Sequence, residues 1–98
     1  MKVFVLRYYF SHHGEDFTRS VHMTYKGVLL DQCSYLLEVL LDMEWDDEDI
    51  KKIGHIDQTF HPDDPITVAE LIQHINVLER FADNAEIYTE IEQFILQP

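Results

Sequence analysis

The chain has 98 residues, of which 46% are hydrophobic, and a net charge of −12 from 19 acidic and 7 basic side chains. This length predicts one globular domain and leaves no room for a second independent core. So negative a surface repels phosphate, and we therefore expect binding neither to nucleic acid nor to a membrane. Cys33 is the only cysteine, which excludes an internal disulfide and is typical of a cytoplasmic protein.

The N-terminal quarter of the chain predicts a β-hairpin. Residues 2–10 (KVFVLRYYF) are rich in β-branched and aromatic side chains, and both faces of this strand are largely apolar. Residues 17–25 alternate between apolar and polar side chains, as a half-buried strand does. The polar loop between them, residues 11–16, contains Gly14, which can adopt the positive φ of a tight turn. Tyr9 is the aromatic residue that we expect at the surface or in a seam.

Helical periodicity follows the hairpin. Residues 30–44 carry apolar side chains at i, i+3 and i+4 spacing over a broad face, which predicts a long central helix. Asp46 or Asp47 can cap a short second helix that continues through Ile53. Gly54 suits the C-terminal end of that helix.

The C-terminal half predicts two more helices. Residues 55–60 (HIDQTF) are compatible with either a third strand or a loop. Thr67 and Glu70 have the spacing of a capping box and begin a helix that reaches about Ala82. The last helix is predicted from apolar residues at i, i+4, i+7 and i+8, namely Ile87, Ile91, Phe94 and Ile95.

The predicted order of elements is β-β-α-α-(β?)-α-α. It indicates a single α+β domain over residues 1–98. In this architecture a small antiparallel hairpin or sheet packs on one face against about four helices.

The charges are distributed unevenly along the chain. Residues 1–27 hold four basic and two acidic side chains, a net charge of +2, whereas residues 28–98 hold three basic and seventeen acidic ones, a net charge of −14. Six carboxylates fall within residues 42–49 (DMEWDDED), a segment that we call the acidic ridge. Asp42 and Glu44 fall at the C-terminal end of the predicted long helix, where negative charge opposes the helix dipole. This unfavourable placement suggests that the acids serve an external partner.

Trp45 lies in the middle of the acidic ridge. A tryptophan surrounded by acids resembles a binding anchor with a charged rim, and the alternative is that it covers the core beneath the turn. The proline-bracketed loop of residues 61–65 adds two further acids. The predicted partner-binding residues are Asp42, Glu44, Trp45, Asp46, Asp47, Glu48, Asp49, Asp63 and Asp64.

No motif in the chain predicts catalysis, a cofactor or a metal. A calcium loop read from Asp42 would place Asp47 where an EF-hand needs glycine. The chain has no GxSxG motif and no glycine-rich phosphate loop. The chain has six histidines, namely His12, His13, His22, His55, His61 and His74. None of them forms an HxxxH or HExxH pair on a predicted helix, so the sequence does not decide whether any of them binds a metal. We therefore expect a binding protein and not an enzyme.

In size, acidity and lack of catalytic motifs the chain resembles the immunity proteins of bacterial toxin systems, many of which plug basic nuclease toxins. The resemblance implies that the acidic ridge, with Asp63 and Asp64, faces the basic groove of a toxin and excludes nucleic acid. One alternative is a DNA-mimic or phage-type inhibitor of a nucleic-acid-binding protein. Another is a dimeric regulatory or adaptor domain that binds through apolar surface. Salt distinguishes this last class, because charge-driven binding weakens as ionic strength rises.

Overall fold

Three strands form one antiparallel sheet, and three helices accompany it, in a computed structural model that describes residues 1–11, 14 and 16–96. The elements in chain order are β1 (Lys2–Phe10), β2 (Asp16–His22), α1 (Tyr25–Leu41), α2 (Asp47–Thr59), α3 (Val68–Asn84) and β3 (Ile87–Ile95). The strands lie in the order β2-β1-β3, so β1 is central. None of the helices in the described ranges has both the length and the apolar character needed to cross a bilayer.

The predicted β-hairpin is confirmed. β1 and β2 are antiparallel, and the register slips between Leu6 and Arg7, which leaves Arg19 as the extra residue of a β-bulge. Gly14 adopts a positive φ of 69°, as predicted, whereas residues 12, 13 and 15 of the predicted loop lie outside the described residues. β2 ends at His22, earlier than the alternating pattern predicts.

A cap explains the early start of α1. The Thr24 hydroxyl accepts a hydrogen bond from the Gly27 backbone N–H at 2.9 Å, so the chain turns into a helix where the sequence pattern still alternates. Thr67 caps α3 in the same way, with its hydroxyl 3.1 Å from the Glu70 N–H, as predicted.

α1 packs on the face of the sheet that carries the even-numbered residues of β1. The Tyr8 ring lies 4.9 Å from the Tyr35 ring, and the Phe4 ring lies 5.7 Å from the Tyr25 ring. These pairs show that α1 runs alongside β1, from its first residues toward Phe10. The core that forms between the sheet and the helices includes Leu29, Cys33, Leu36, Leu40, Ile53, Ile56, Phe60, Leu71, Ile75, Leu78 and Ile87.

The predicted C-terminal helix is wrong, because this segment is β3. It pairs with β1 along its whole length, with Ile87 opposite Phe10 and Ile95 opposite Lys2. The isoleucines at positions 87, 91 and 95 are four residues apart, a spacing that fits one face of a strand as well as one stripe of a helix. Glu86, with a φ of 59°, separates α3 from the strand.

The second correction concerns residues 55–60, for which the sequence pattern predicts a strand or a loop: residues 55–59 are helical, and Phe60 is the C-cap of that helix. α2 continues through Gly54 to Thr59, and Ile56 and Phe60 join Ile53 in the core. Over the described residues the domain therefore has three helices rather than about four, and the order of its elements is β-β-α-α-α-β. The α+β class itself is as predicted.

The opposite face of the sheet, which we call the open face, carries the odd-numbered residues of β1. The sheet contacts described above, Tyr8 with Tyr35 and Phe4 with Tyr25, lie on the other side. The core cluster contains neither Val3 nor Val5 of the open face. Val5, in the middle of this face, is nonetheless only 9% exposed, whereas Val3 is partly buried.

Candidate protein-binding surface

The acidic ridge forms the connection between α1 and α2. Asp42 is the C-cap residue of α1, and Asp46 is the N-cap of α2, where its carboxylate accepts from the Asp49 N–H at 2.8 Å. The first turn of α2 contains Asp47, Glu48 and Asp49, where negative charge complements the helix dipole. The same dipole argument disfavours Asp42, which lies at the negative end of α1.

The ridge carboxylates are open to solvent. Five of the six side chains are exposed, and Asp49 is partly buried. Within the described part of the chain, no lysine, arginine or histidine nitrogen lies within 4 Å of any of them. Lys51 and Lys52 follow one turn later on α2 but pair with none of the six. The field of the ridge is thus available to an external partner.

Trp45 is half-buried and packs against the core. Its Nε1–H donates to the Leu40 carbonyl at 2.8 Å, and its ring meets the Phe81 ring edge-on at 5.5 Å. The same carbonyl, in the last turn of α1, also accepts from the Met43 backbone N–H at 3.2 Å, so the indole adds a further hydrogen bond to it. This placement corresponds to the core-covering alternative, and a partner can contact only the exposed remainder of the ring.

Asp63 and Asp64 are exposed in the turn between α2 and α3, whereas the acidic ridge meets the opposite end of α2. The 13 residues of α2 correspond to about 20 Å of helix. The predicted site is therefore two acidic areas at the two ends of α2.

A hollow of about 520 Å³ adjoins the ridge and was not predicted. It is lined by Phe10, Glu38, Val39, Asp42, Met43 and Ile87. Two carboxylates beside an apolar lining suit a lysine or arginine, whose aliphatic stem can lie on apolar surface while its head meets the acids. Sequence patterns gave no signal for it, since its residues come from β1, β3 and the α1 end.

A second groove, between α2 and α3, has the opposite charge. It measures about 480 Å³, and no carboxylate lines it. Its lining residues are Lys51, Lys52, His55, Ile56, Gln73, His74 and Val77. A basic partner is attracted to the ridge and repelled here, which restricts the orientations in which it can dock.

Ser20, His22 and Asp31 meet in a polar cluster that resembles a catalytic triad only in composition. Ser20 Oγ donates to Asp31 Oδ2, and His22 Nε2 lies 3.0 Å from Ser20 Oγ and 3.1 Å from Asp31 Oδ2. A triad needs the two ring nitrogens to serve different partners, one the serine and the other the aspartate. In this chain the same ring nitrogen, His22 Nε2, contacts both the serine and the aspartate. The cluster therefore links β2 to α1 and does not activate the serine.

Burial raises the pKa of Asp31, but hydrogen bonds from Ser20, His22 and Arg19, with the positive charge of Arg19, outweigh it, and the net effect lowers that pKa. A carboxyl group whose pKa is lower in the folded state than in the unfolded state stabilises the fold at pH values above its unfolded-state pKa, which is ~4 for an aspartate. This stabilisation is lost as the pH falls through the folded-state pKa.

We therefore expect Asp31→Asn to reduce the free energy of unfolding at pH 7 by about 1–3 kcal/mol. The difference from the wild type should shrink as pH falls below ~4. Urea unfolding at several pH values measures it, with the exposed Asp57→Asn as the matched control. A gap that is constant down to pH ~2.5 would contradict the role assigned to the ionised Asp31.

The described residues contain no group of three or more His, Cys, Asp or Glu side chains that could hold a metal ion, and His12 and His13 lie outside them. Cys33 is buried, and burial raises the pKa of its thiol to about 12, which makes it a poor nucleophile at neutral pH. Among the surfaces described, the acidic ridge and its hollow therefore have the most strongly charged lining.

No protein-family model, no curated protein and no solved structure matches the chain.

Proposed function

We propose that this chain is a protein-binding inhibitor whose acidic ridge captures a basic protein, and that its role is that of an immunity protein against a nuclease-like toxin. One observation carries the proposal. Six carboxylates within eight residues lie at one end of the sheet with no cationic group within 4 Å in the described residues. Such a surface matches the phosphate-binding groove of a nuclease in charge.

Electrostatic steering follows from this charge. A ridge of unpaired carboxylates attracts a basic surface before contact and can raise association rates toward ~10⁸ M⁻¹s⁻¹ at low salt. Once docked, the carboxylates would occupy positions that phosphates take in the nuclease. The toxin would then be inhibited because its substrate is excluded.

The hollow beside the ridge provides an anchor point. A lysine or arginine of the partner would enter between Glu38 and Asp42. Glu38 is 74% exposed at its side chain and lies 3.8 Å from Arg19, so it remains accessible to a second cation. Anchors that fill a pocket inside a charged rim commonly dominate the binding free energy of an interface.

The test compares the wild-type chain with a ridge variant and a control of equal charge. The ridge variant carries Asp42→Lys, Glu44→Lys and Asp47→Lys, and Asp46 is retained because it caps α2. The control carries Asp57→Lys, Glu70→Lys and Asp83→Lys, three exposed helical acids outside the ridge. Each chain serves as bait in lysate of the native cell at low salt, and captured proteins are identified by mass spectrometry.

We expect the wild type and the control to retain a basic protein whose nuclease activity they suppress, and the ridge variant to retain little of it. Equal capture by the ridge variant, or a captured protein without a basic surface, would contradict the proposal.

A further inference from the structure

The groove between α2 and α3 collects most of the positive charge that follows the hairpin in sequence. Residues 28–98 hold three basic and seventeen acidic side chains, a net charge of −14, and the structure describes all of them. Two of the three bases, Lys51 and Lys52, line the groove together with His55 and His74, and none of the seventeen acids does. In an otherwise acidic region, an anion therefore meets ammonium groups here.

The two lysines of the groove have no ionic partner in the described residues. No carboxylate oxygen lies within 4 Å of either ammonium group. Asp47 and Glu48 precede the lysines by four residues on α2, a spacing at which helical ion pairs commonly form, but neither pair forms here. The imidazoles of His55 and His74 add at least one N–H donor each, whether charged or neutral. These donors therefore remain available to a ligand.

The groove also offers apolar surface. α2 and α3 both pack on α1 and make few contacts with each other, which leaves a space of about 480 Å³ between them. Sites for small molecules commonly measure about 300–1,000 Å³. Ile56 and Val77 line the space, and the aliphatic stems of the two lysines can extend its apolar surface. Ammonium groups beside an apolar lining match a ligand that is both anionic and apolar.

We propose that this groove binds a small amphipathic anion. Its charged head group would meet Lys51 and Lys52, and its apolar body would lie along Ile56 and Val77. The whole molecule carries a net charge of −12, so its long-range field repels anions. Contact between the apolar body and the groove therefore has to supply part of the binding free energy.

Four other hollows in the described residues lack this combination of charge and apolar surface. Three of them are lined by at least one carboxylate, which repels an anion. The fourth, formed by Phe4, Tyr25, Ile91 and Gln93, contains no charged group and offers an anion no ionic partner. Charge complementarity therefore selects the groove between α2 and α3.

The binding of an anion in the groove does not depend on the role proposed for the acidic ridge. None of the six ridge carboxylates lines the groove. A ridge that fails to capture a basic protein would therefore leave the binding of the anion unaffected, and a groove that binds no anion would leave the role of the ridge unaffected.

Isothermal titration calorimetry of the full chain with decanoate, an amphipathic anion, tests the proposal. Hexanoate serves as a shorter anion, and decanol serves as a neutral probe with the same chain length as decanoate. We expect one decanoate to bind per chain, and hexanoate to bind at least ~10-fold more weakly, because hexanoate lacks four CH₂ groups that can contact the groove. Backbone amide NMR should show the largest shifts in residues 51–56 and 73–77.

Paired lysine substitutions isolate the contribution of the charges in the groove. Lys51→Gln combined with Lys52→Gln should weaken decanoate binding about 5-fold and leave decanol binding unchanged, since only the ionic contacts are lost. Lys2→Gln combined with Lys26→Gln removes the same net charge from two exposed lysines outside the groove. This control should bind both probes nearly as the wild type does.

Val77→Asp should weaken decanoate binding at least ~10-fold, because it replaces an apolar contact with a carboxylate beside that of the ligand. Ile72→Asp is the matched control, since Ile72 is 37% exposed and Val77 is 36% exposed on the same helix, and only Val77 lines the groove. Absence of decanoate binding would overturn the proposal. So would equal losses from the two lysine pairs, or amide shifts centred on Phe4 and Tyr25, which would place decanoate in the uncharged hollow.

Discussion

Replacing Leu36 with alanine is expected to lower the free energy of unfolding by about 3–5 kcal/mol. The Leu36 side chain is fully buried in α1, inside the cluster that joins the sheet to the helices. Truncation removes three buried carbons and leaves a cavity that rigid neighbours fill only in part. For a chain whose total stability is of the order of 5–15 kcal/mol, this is a large fraction.

Thermal and urea unfolding measure this effect. Each kcal/mol corresponds to about 4–8 °C in Tm for a domain near this size, so the midpoint should fall by roughly 12 °C or more. Leu41→Ala on the same helix is the matched control, because Leu41 is 39% exposed, and its loss should stay below ~1 kcal/mol. Equal losses for the two variants would show that α1 does not bury the face described here.

Trp45→Ala should lower the free energy of unfolding by about 2–4 kcal/mol, since it removes the packing on Phe81 and the hydrogen bond to the Leu40 carbonyl. Trp45→Phe keeps most of the ring contact and loses only the N–H donor, so we expect a loss near ~1 kcal/mol. Urea unfolding compares the three chains.

The same variants separate a structural role of Trp45 from a role in binding. If the indole mainly covers the core, Trp45→Phe should capture the basic partner as the wild type does. A Trp45→Phe chain that keeps its stability but loses capture would contradict the structural role and identify Trp45 as the anchor.

Local sequence patterns predicted correctly those elements whose pattern is compatible with only one type of secondary structure. The alternation of the hairpin and the capping box at Thr67 identified β1, β2 and α3, because each fixes a backbone conformation within a few residues. The C-terminal segment could not be assigned in this way. Its isoleucines fit both periodicities, and pairing with β1, more than 75 residues away in sequence, decides the outcome.

The candidate site was predictable in charge but not in shape. The six carboxylates of the ridge are visible in the sequence, and the structure places them in the connection between α1 and α2 and in the first turn of α2. The contact of Trp45 with Phe81 and the hollow beside Asp42 arise from residues that are distant in sequence. The separation of Asp63 from the ridge depends on α2 continuing to Thr59, in a segment whose structure the sequence left ambiguous.

The association rate between this chain and its captured basic partner, measured by stopped flow from low to high salt, tests the central claim most directly. If the ridge directs capture, the ridge variant should associate at least ~10-fold more slowly than the wild type at low salt, with a flatter salt dependence. The control of equal net charge should remain close to the wild type. If the two variants slow association equally, total charge drives capture and the acidic ridge has no dedicated role.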